Sequence, residues 1–246
     1  MGIKTRFKNS WSTLANTWRL SSLNRMHPKL VNTIKHVQKQ HLTYLDPLAL
    51  IDLGLAVRQL EQQGIAGQML ELGCAAGGSA IVITSVKAKQ RPFAIYDVFG
   101  MIPPPSERDG QDVHQRYEVI STGKSPGLGN RRYYGYEEEL DQKVIAAFTE
   151  AGYPIEQHHV HLVKGLYEDS LQIDQPVAFA HIDCDWYDSV MVCLERIVPH
   201  LVQGGILVID DYTSWSGCRH AIDDFFRNRQ AEFRFEHKSR LHITRR

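Results

Sequence analysis

Two short acidic clusters, each at the end of an apolar run, constrain this chain more than any other feature. Asp183-Cys184-Asp185 follows VAFAHI, and Asp210-Asp211 follows GGILVI. Continuous runs rich in β-formers predict strands buried on both faces. Between them Val190, Cys193, Leu194, Ile197 and Leu201 recur at helical spacing, and Gly204-Gly205 closes the segment. The unit is strand–helix–strand. A right-handed crossover brings two parallel strands together with their carboxyl ends at one edge, the edge where open α/β sheets bind ligands. Up to four carboxylates therefore meet there. Left unpaired and buried they repel, and some are forced to hold a proton. A hard divalent cation such as Mg²⁺ or Ca²⁺ removes the conflict, because it takes carboxylate oxygens. Singly, either cluster reads as well as a helix cap or a solvated strand end; together they point to a metal site.

The rest of the chain supports one α/β domain, for which 246 residues suffice. Strand and helix signals alternate from Asp46-Pro47, a helix start, to a carboxyl-terminal hairpin in FRFEHKSRLHITRR. The expectation is a doubly wound sheet over 46–246, preceded by a helical arm over 1–45. That arm carries Lys4, Arg6, Lys8, Arg19, Arg25, Lys29, Lys35 and Lys39 and no acid. An organellar transit peptide shares this character. The apolar stripe Leu30, Ile34, Val37 favours an arm that packs on the domain or on a second subunit, hence a homo-oligomer. Lys+Arg and Asp+Glu balance at 28 each, which argues against a nucleic-acid partner. No apolar run has membrane-span length, the start lacks a secretory apolar core, and the four cysteines have neither zinc spacing nor a disulfide pattern. A cytoplasmic protein without membrane partners is expected. From Gly100 to about Arg132 runs a polar, Pro- and Gly-bearing stretch, read as a lid or binding loop. Tyr133, Tyr134 and Tyr136 after it serve either to stack on an acceptor or to pack the lid.

A second motif supplies a cofactor site. Glu71-Leu72-Gly73-Cys74-Ala75-Ala76-Gly77-Gly78-Ser79 sits between a predicted strand and a predicted helix. Its glycines let a ligand approach the backbone at a helix start. It is neither GxGxxG nor a P-loop; acidic-x-Gly-x-x-x-Gly-Gly is the form of S-adenosylmethionine turns. Asp97, at the end of the next predicted strand and 26 residues after Glu71, stands where an acid accepts ribose hydroxyls.

These pieces, in this order, resemble the macrocin O-methyltransferase family, which includes sugar methyltransferases of the tylosin, mycinamicin and novobiocin pathways. ELGCAAGGS, YDVFGMIPPP, KGLYEDSL, IDCDWYDS, GGILVIDDY and AIDDFF carry the likeness over roughly 44–246. The resemblance implies a class I methyltransferase sheet of seven strands with the last antiparallel. It implies S-adenosylmethionine as cofactor, with Glu71, Gly73, Ser79, Asp97, Gly165 and Tyr167 as candidate contacts. It implies Mg²⁺ on Asp183, Asp210 and Asp211, with Asp185 as general base. The acceptor implied is a hydroxyl of a small molecule, a glycoside above all. Trp186 and Asp188 stand where family members commonly have Leu and Glu, and 123–136 looks specific to a subgroup, so the substrate stays open. A catechol-type methyltransferase is the nearest alternative, although its pattern ends in Asp-Asn. An NAD-dependent sugar enzyme lacks support, since GxGxxG and YxxxK are missing.

Overall fold

A computed structural model describes residues 25–246. The basic residues Lys4, Arg6, Lys8 and Arg19 of the arm lie outside the described residues. The sheet has seven strands: β1 (Gln68–Leu72), β2 (Phe93–Asp97), β3 (Val160–Lys164), β4 (Val177–Ile182), β5 (Leu201–Ile209), β6 (Phe233–His237) and β7 (Leu241–Arg245). Their order is β3-β2-β1-β4-β5-β7-β6. The first five pair in parallel, and β7 runs antiparallel between β5 and β6. This is the expected topology. The order reverses between β1 and β4, so the carboxyl ends of those strands form the switch-point crevice.

The described helices are α1 (Pro28–Lys39), α2 (Pro47–Gln62), α3 (Gly78–Val86), α4 (Gln111–Ser121), α5 (Leu140–Glu150), α6 (Tyr167–Ser170), α7 (Tyr187–Ile197) and α8 (Ser216–Phe226). Asp46 caps α2 by accepting from the Leu48 and Ala49 amides at 2.8 and 3.0 Å, as an Asp before Pro at N1 predicts. Leu30, Val31, Ile34 and Val37 of α1 are buried in the same apolar cluster as α2 and α3, so this part of the arm packs on the sheet's helical layer. The second cluster, built on Leu70, Ile182, Val190 and Leu207, fills the opposite face.

Two expectations change. Leu201 does not continue α7: Val198–His200 forms a 3-10 turn around Pro199, and Leu201 opens β5. Proline removes an amide and ends the helix, and Gly204, with φ of 76°, falls inside the strand rather than closing a helix. The loop from Gly100 to Arg132 contains α4, which buries only Val113 and Ile120. A helix with so narrow an apolar face leaves almost no periodic signal.

Candidate active site

The acidic clusters emerge from β4 and β5 side by side, with His181↔Val208 and Ile182↔Ile209 in register. β4 stops at Ile182, so strand alternation does not place Asp185 beside Asp183. A tight turn does. Asp185 has φ of 61°, and the Trp186 amide donates to the Cys184 carbonyl at 2.7 Å. Non-glycine residues visit this region at a cost that the surroundings must offset.

Asp183, Asp185 and Asp211 each place a carboxylate oxygen within 4.8 Å of the others. Burial, then repulsion from Asp210, raises the Asp183 pKa well above the usual carboxylate range; burial, then Asp185 and Asp183, does the same to Asp211. Burial also raises Asp185. One oxygen of Asp211, Oδ2, is buried without a partner. A hard oxygen donor set, crowded and partly orphaned, fits a divalent cation.

Asp210 stands apart from that triplet. Its Oδ1 accepts from Arg240 Nε at 2.6 Å and lies 3.8 Å from His181 Nε2. Burial would raise its pKa, but His181 and Arg240 hold it below the ordinary value. The expected set Asp183, Asp210, Asp211 therefore differs from the set the structure brings together. Arg240 carried no sequence signal. It sits in the β6–β7 turn, and reaches Asp210 only because β7 inserts beside β5.

Glu71 is fully buried and does not line either cavity of the site. Its Oε1 accepts from the Ser79 hydroxyl and faces His181 Nδ1 at 3.1 Å. Expected as a cofactor contact, it instead fixes the glycine turn to β4. Burial opposes charging of His181, but Asp210 and Glu71 outweigh it and lift its pKa to about 10. Gly73 has φ of 87°, and a Cβ there would strike the Asp183 carbonyl oxygen. Only glycine lets the two motifs approach this closely. Asp97 accepts from the Cys74 amide at 2.8 Å and the Phe99 amide at 2.7 Å. Its carboxylate thus ties β2 to the glycine turn, and burial raises its pKa despite those bonds. Asp97 also lines the crevice. Gly165 donates its amide to the Asp97 carbonyl at 3.1 Å and lines no cavity of the site; Leu166, Tyr167 and Glu168 line it in its place.

Two connected cavities occupy the crevice. One, of about 500 Å³, lies between Gly73, Asp97, Ile102 and Tyr167. The other, of about 840 Å³, holds the four carboxylates together with Tyr44, Arg116, Tyr133 and Trp215. Gly73, Asp97, Tyr134, Asp183 and Asp185 line both. Tyr133 and Tyr134 pack with centroids 4.5 Å apart and rings tilted by 42°, both in the lining of the larger cavity. Tyr136 has another duty: its hydroxyl donates to the Ile120 carbonyl at 2.6 Å and accepts from the Ser125 amide.

A glycine turn at the switch point of a 3-2-1-4-5-7-6 sheet, beside a two-chambered acidic crevice, defines a class I methyltransferase fold. The solved O-methyltransferase NovP superposes with a TM-score of 0.69 at 19% identity, over 83% of this chain and 82% of that one. The calicheamicin methyltransferase CalS11 gives 0.59 at 16% identity, over 94% and 91%. Residues 47–237 match the family model for macrocin O-methyltransferase (TylF), and the chain belongs to that family. Among its relatives, demethyldecarbamoylnovobiocin O-methyltransferase of Streptomyces niveus is 25% identical over 65% of this chain and 58% of its own length. A tetracenomycin-C rhamnosyl 4'-O-methyltransferase of Streptomyces olivaceus is 28% identical over 71% and 63%. The match thus spans less than two thirds of either relative. Among the described residues no helix is long and apolar enough to cross a membrane.

Proposed function

We propose that this protein is an S-adenosylmethionine-dependent O-methyltransferase that uses Mg²⁺ and methylates a sugar hydroxyl of a glycosylated natural product. The observation that carries the reading is the meeting of two cavities at Asp183 and Asp185. Methyl transfer to oxygen needs a donor and an acceptor in line across such a junction. The smaller chamber, at the glycine turn, suits the cofactor, with Gly73, Asp97 and Tyr167 along it. Ser79 lines the larger chamber and is held by Glu71. The larger chamber suits the acceptor, since its lining combines carboxylates with Tyr44, Tyr133 and Trp215. That mixture of polar groups and aromatic faces is what a glycoside requires. The relatives' activities on novobiocin and tetracenomycin glycosides support the same class of acceptor.

A sugar hydroxyl is a poor nucleophile, and Mg²⁺ at the carboxylates would supply the charge that lowers its pKa. Asp183 and Asp211 would hold the ion. Asp210, now paired with Arg240, would complete the set that the family resemblance implies. Asp185, raised in pKa by burial, is then placed to accept the hydroxyl proton. Tyr134, which lines both chambers, and Tyr133 beside it would help to exclude water from the junction.

The test is a mass-shift screen with S-adenosylmethionine and Mg²⁺ over a panel of glycosides, including demethyldecarbamoylnovobiocin and mycinamicin III, and over catechols. A gain of one methyl on a glycoside, abolished by EDTA, is the expected result. Methylation of catechols alone would move the acceptor to phenols, and full activity in EDTA would remove the metal from the mechanism.

A further inference from the structure

Each acidic turn leads into a helix, Asp183–Asp185 through Trp186 into α7 and Asp210–Asp211 through the turn 212–215 into α8. A helix start leaves amides that need acceptors. Among the described residues neither N-cap supplies one, since Trp186 and Trp215 make no side-chain cap bond. Both acceptors come instead from a single remote segment. Asp109, which is buried, accepts from the Tyr187 amide at 2.8 Å with one oxygen and from the Ser106 amide at 3.0 Å with the other. Asp112, one helical turn on, accepts from the Ser216 amide at 3.0 Å and from the Ser216 hydroxyl. The approach demands glycine on both sides: a Cβ at Gly217 would strike Asp109, and one at Gly110 would strike Ser216. The same segment reaches back to the first turn, where the Trp186 indole donates to the Pro103 carbonyl at 3.0 Å. Trp186 and Trp215, the two residues at the helix starts, meet edge-on with centroids 6.1 Å apart.

We propose that Asp109 and Asp112 are positioning residues: the strap from Pro103 to Asp112 caps both helices in trans and so sets Asp185 and Asp211 relative to each other. The proposal rests on the functional reading above. Asp185 occupies a left-handed backbone conformation that its neighbours must enforce. Asp183, Asp185 and Asp211 hold carboxylate oxygens within 4.8 Å of one another although they stand on two different turns, so the turns must be fixed relative to each other. The strap supplies both constraints, because it grips the residue after Asp185 by its indole, the next residue by its amide, and the start of α8 by Ser216. The front half of the expected lid is therefore a fixed strut.

The test measures hydrogen exchange and Mn²⁺ affinity, by electron paramagnetic resonance, on the whole chain and needs no acceptor. Asp109→Ala and Asp112→Ala should each speed exchange over 183–189 and 211–218 by roughly tenfold, the scale of one lost cap. Each should weaken Mn²⁺ binding by about the same factor. β4, the middle of α7 and S-adenosylhomocysteine affinity should stay parental. Asp112→Asn keeps an acceptor for the Ser216 amide and should lie close to the parent. Parental exchange and Mn²⁺ affinity in the double alanine variant would overturn the proposal. So would loss of protection along the whole of α7 and α8, because the caps would then be holding the fold at large. A parent chain that binds neither Mn²⁺ nor S-adenosylhomocysteine would count against the functional reading, and exchange at the two turns would still decide the strap.

Discussion

His242 should make the protein acid-sensitive in a window set by its burial. It lies on β7 opposite Val208, which lies opposite His181, so the two histidines face the same side of the sheet with one valine between them. His181 has Glu71 and Asp210 beside it. His242 is 1% exposed, and neither of its ring nitrogens has a partner. Burial lowers its pKa to about 4, with Lys238 and His181 adding to the effect and Asp52 opposing it. The unfolded chain takes a proton near pH 6.5, so between there and pH 4 it binds more protons than the folded chain. Stability is then fully present above pH 6.5 and falls as pH drops toward 4. The slope is about 1.4 kcal/mol per pH unit and the total on the order of 3 kcal/mol. His242→Leu removes the titration and two unsatisfied buried atoms at once. Urea unfolding of parent and variant at half-unit steps from pH 4.5 to 8 isolates the term, because the other carboxylates contribute equally to both. The variant should match or exceed the parent at pH 8, and its advantage should grow by about 1 kcal/mol per unit below 6.5. A constant difference across the range would refute the reasoning.

Gly73→Ala should lower S-adenosylhomocysteine affinity by 100-fold or more, read by calorimetry, since its Cβ collides with the Asp183 carbonyl at a φ of 87°. Asp185→Asn should keep cofactor affinity while turnover on the glycoside found by the screen falls about 10²–10⁴-fold, the loss for a general base; near-parental turnover would assign proton transfer elsewhere. Arg240→Gln should tighten Mn²⁺ binding if Asp210 joins the ion, and Asp210→Asn should reverse the gain, both read by paramagnetic resonance titration.

The sheet was legible because its strands are continuous apolar runs and its turns carry glycines that a backbone conformation requires. Gly73 and the two acidic ends fall where strand-end logic places them. What escaped the sequence shares one cause: side chains that act across long separations on elements with weak signals. α4 buries two residues and has no stripe to detect, yet its first turn carries Asp112. Asp109 looks like one more loop carboxylate until α7 arrives beside it. Arg240 belongs to a hairpin whose strand order puts it at Asp210, and alternation within β5 says nothing about that. Glu71 was misplaced for a related reason. An acid before a glycine turn reads as a ligand contact, but its strand position points it beneath the turn, where Ser79 and His181 take its oxygen.

The two halves of the site thus rest on different kinds of support. The cofactor side is held from below, by Glu71 and by the amides that fix Asp97, all within the glycine turn and its flanking strands. The acidic side is tied to the sheet by its backbone, the Asp183 amide donating to the Leu72 carbonyl at 2.9 Å and the Asp210 amide to the Ile182 carbonyl at 3.0 Å. Its carboxylates extend beyond the ends of β4 and β5. Further restraint comes from outside the strands, from Arg240 on Asp210 and from the Pro103–Asp112 segment on the two helix starts. α4, which begins at the end of that segment, contributes Arg116 and Ile120 to the wall of the larger chamber. Changes in α4 that alter acceptor choice therefore act on the same body that sets Asp185, and substitutions at Arg116 should be read together with exchange at 183–189 before they are credited to specificity alone.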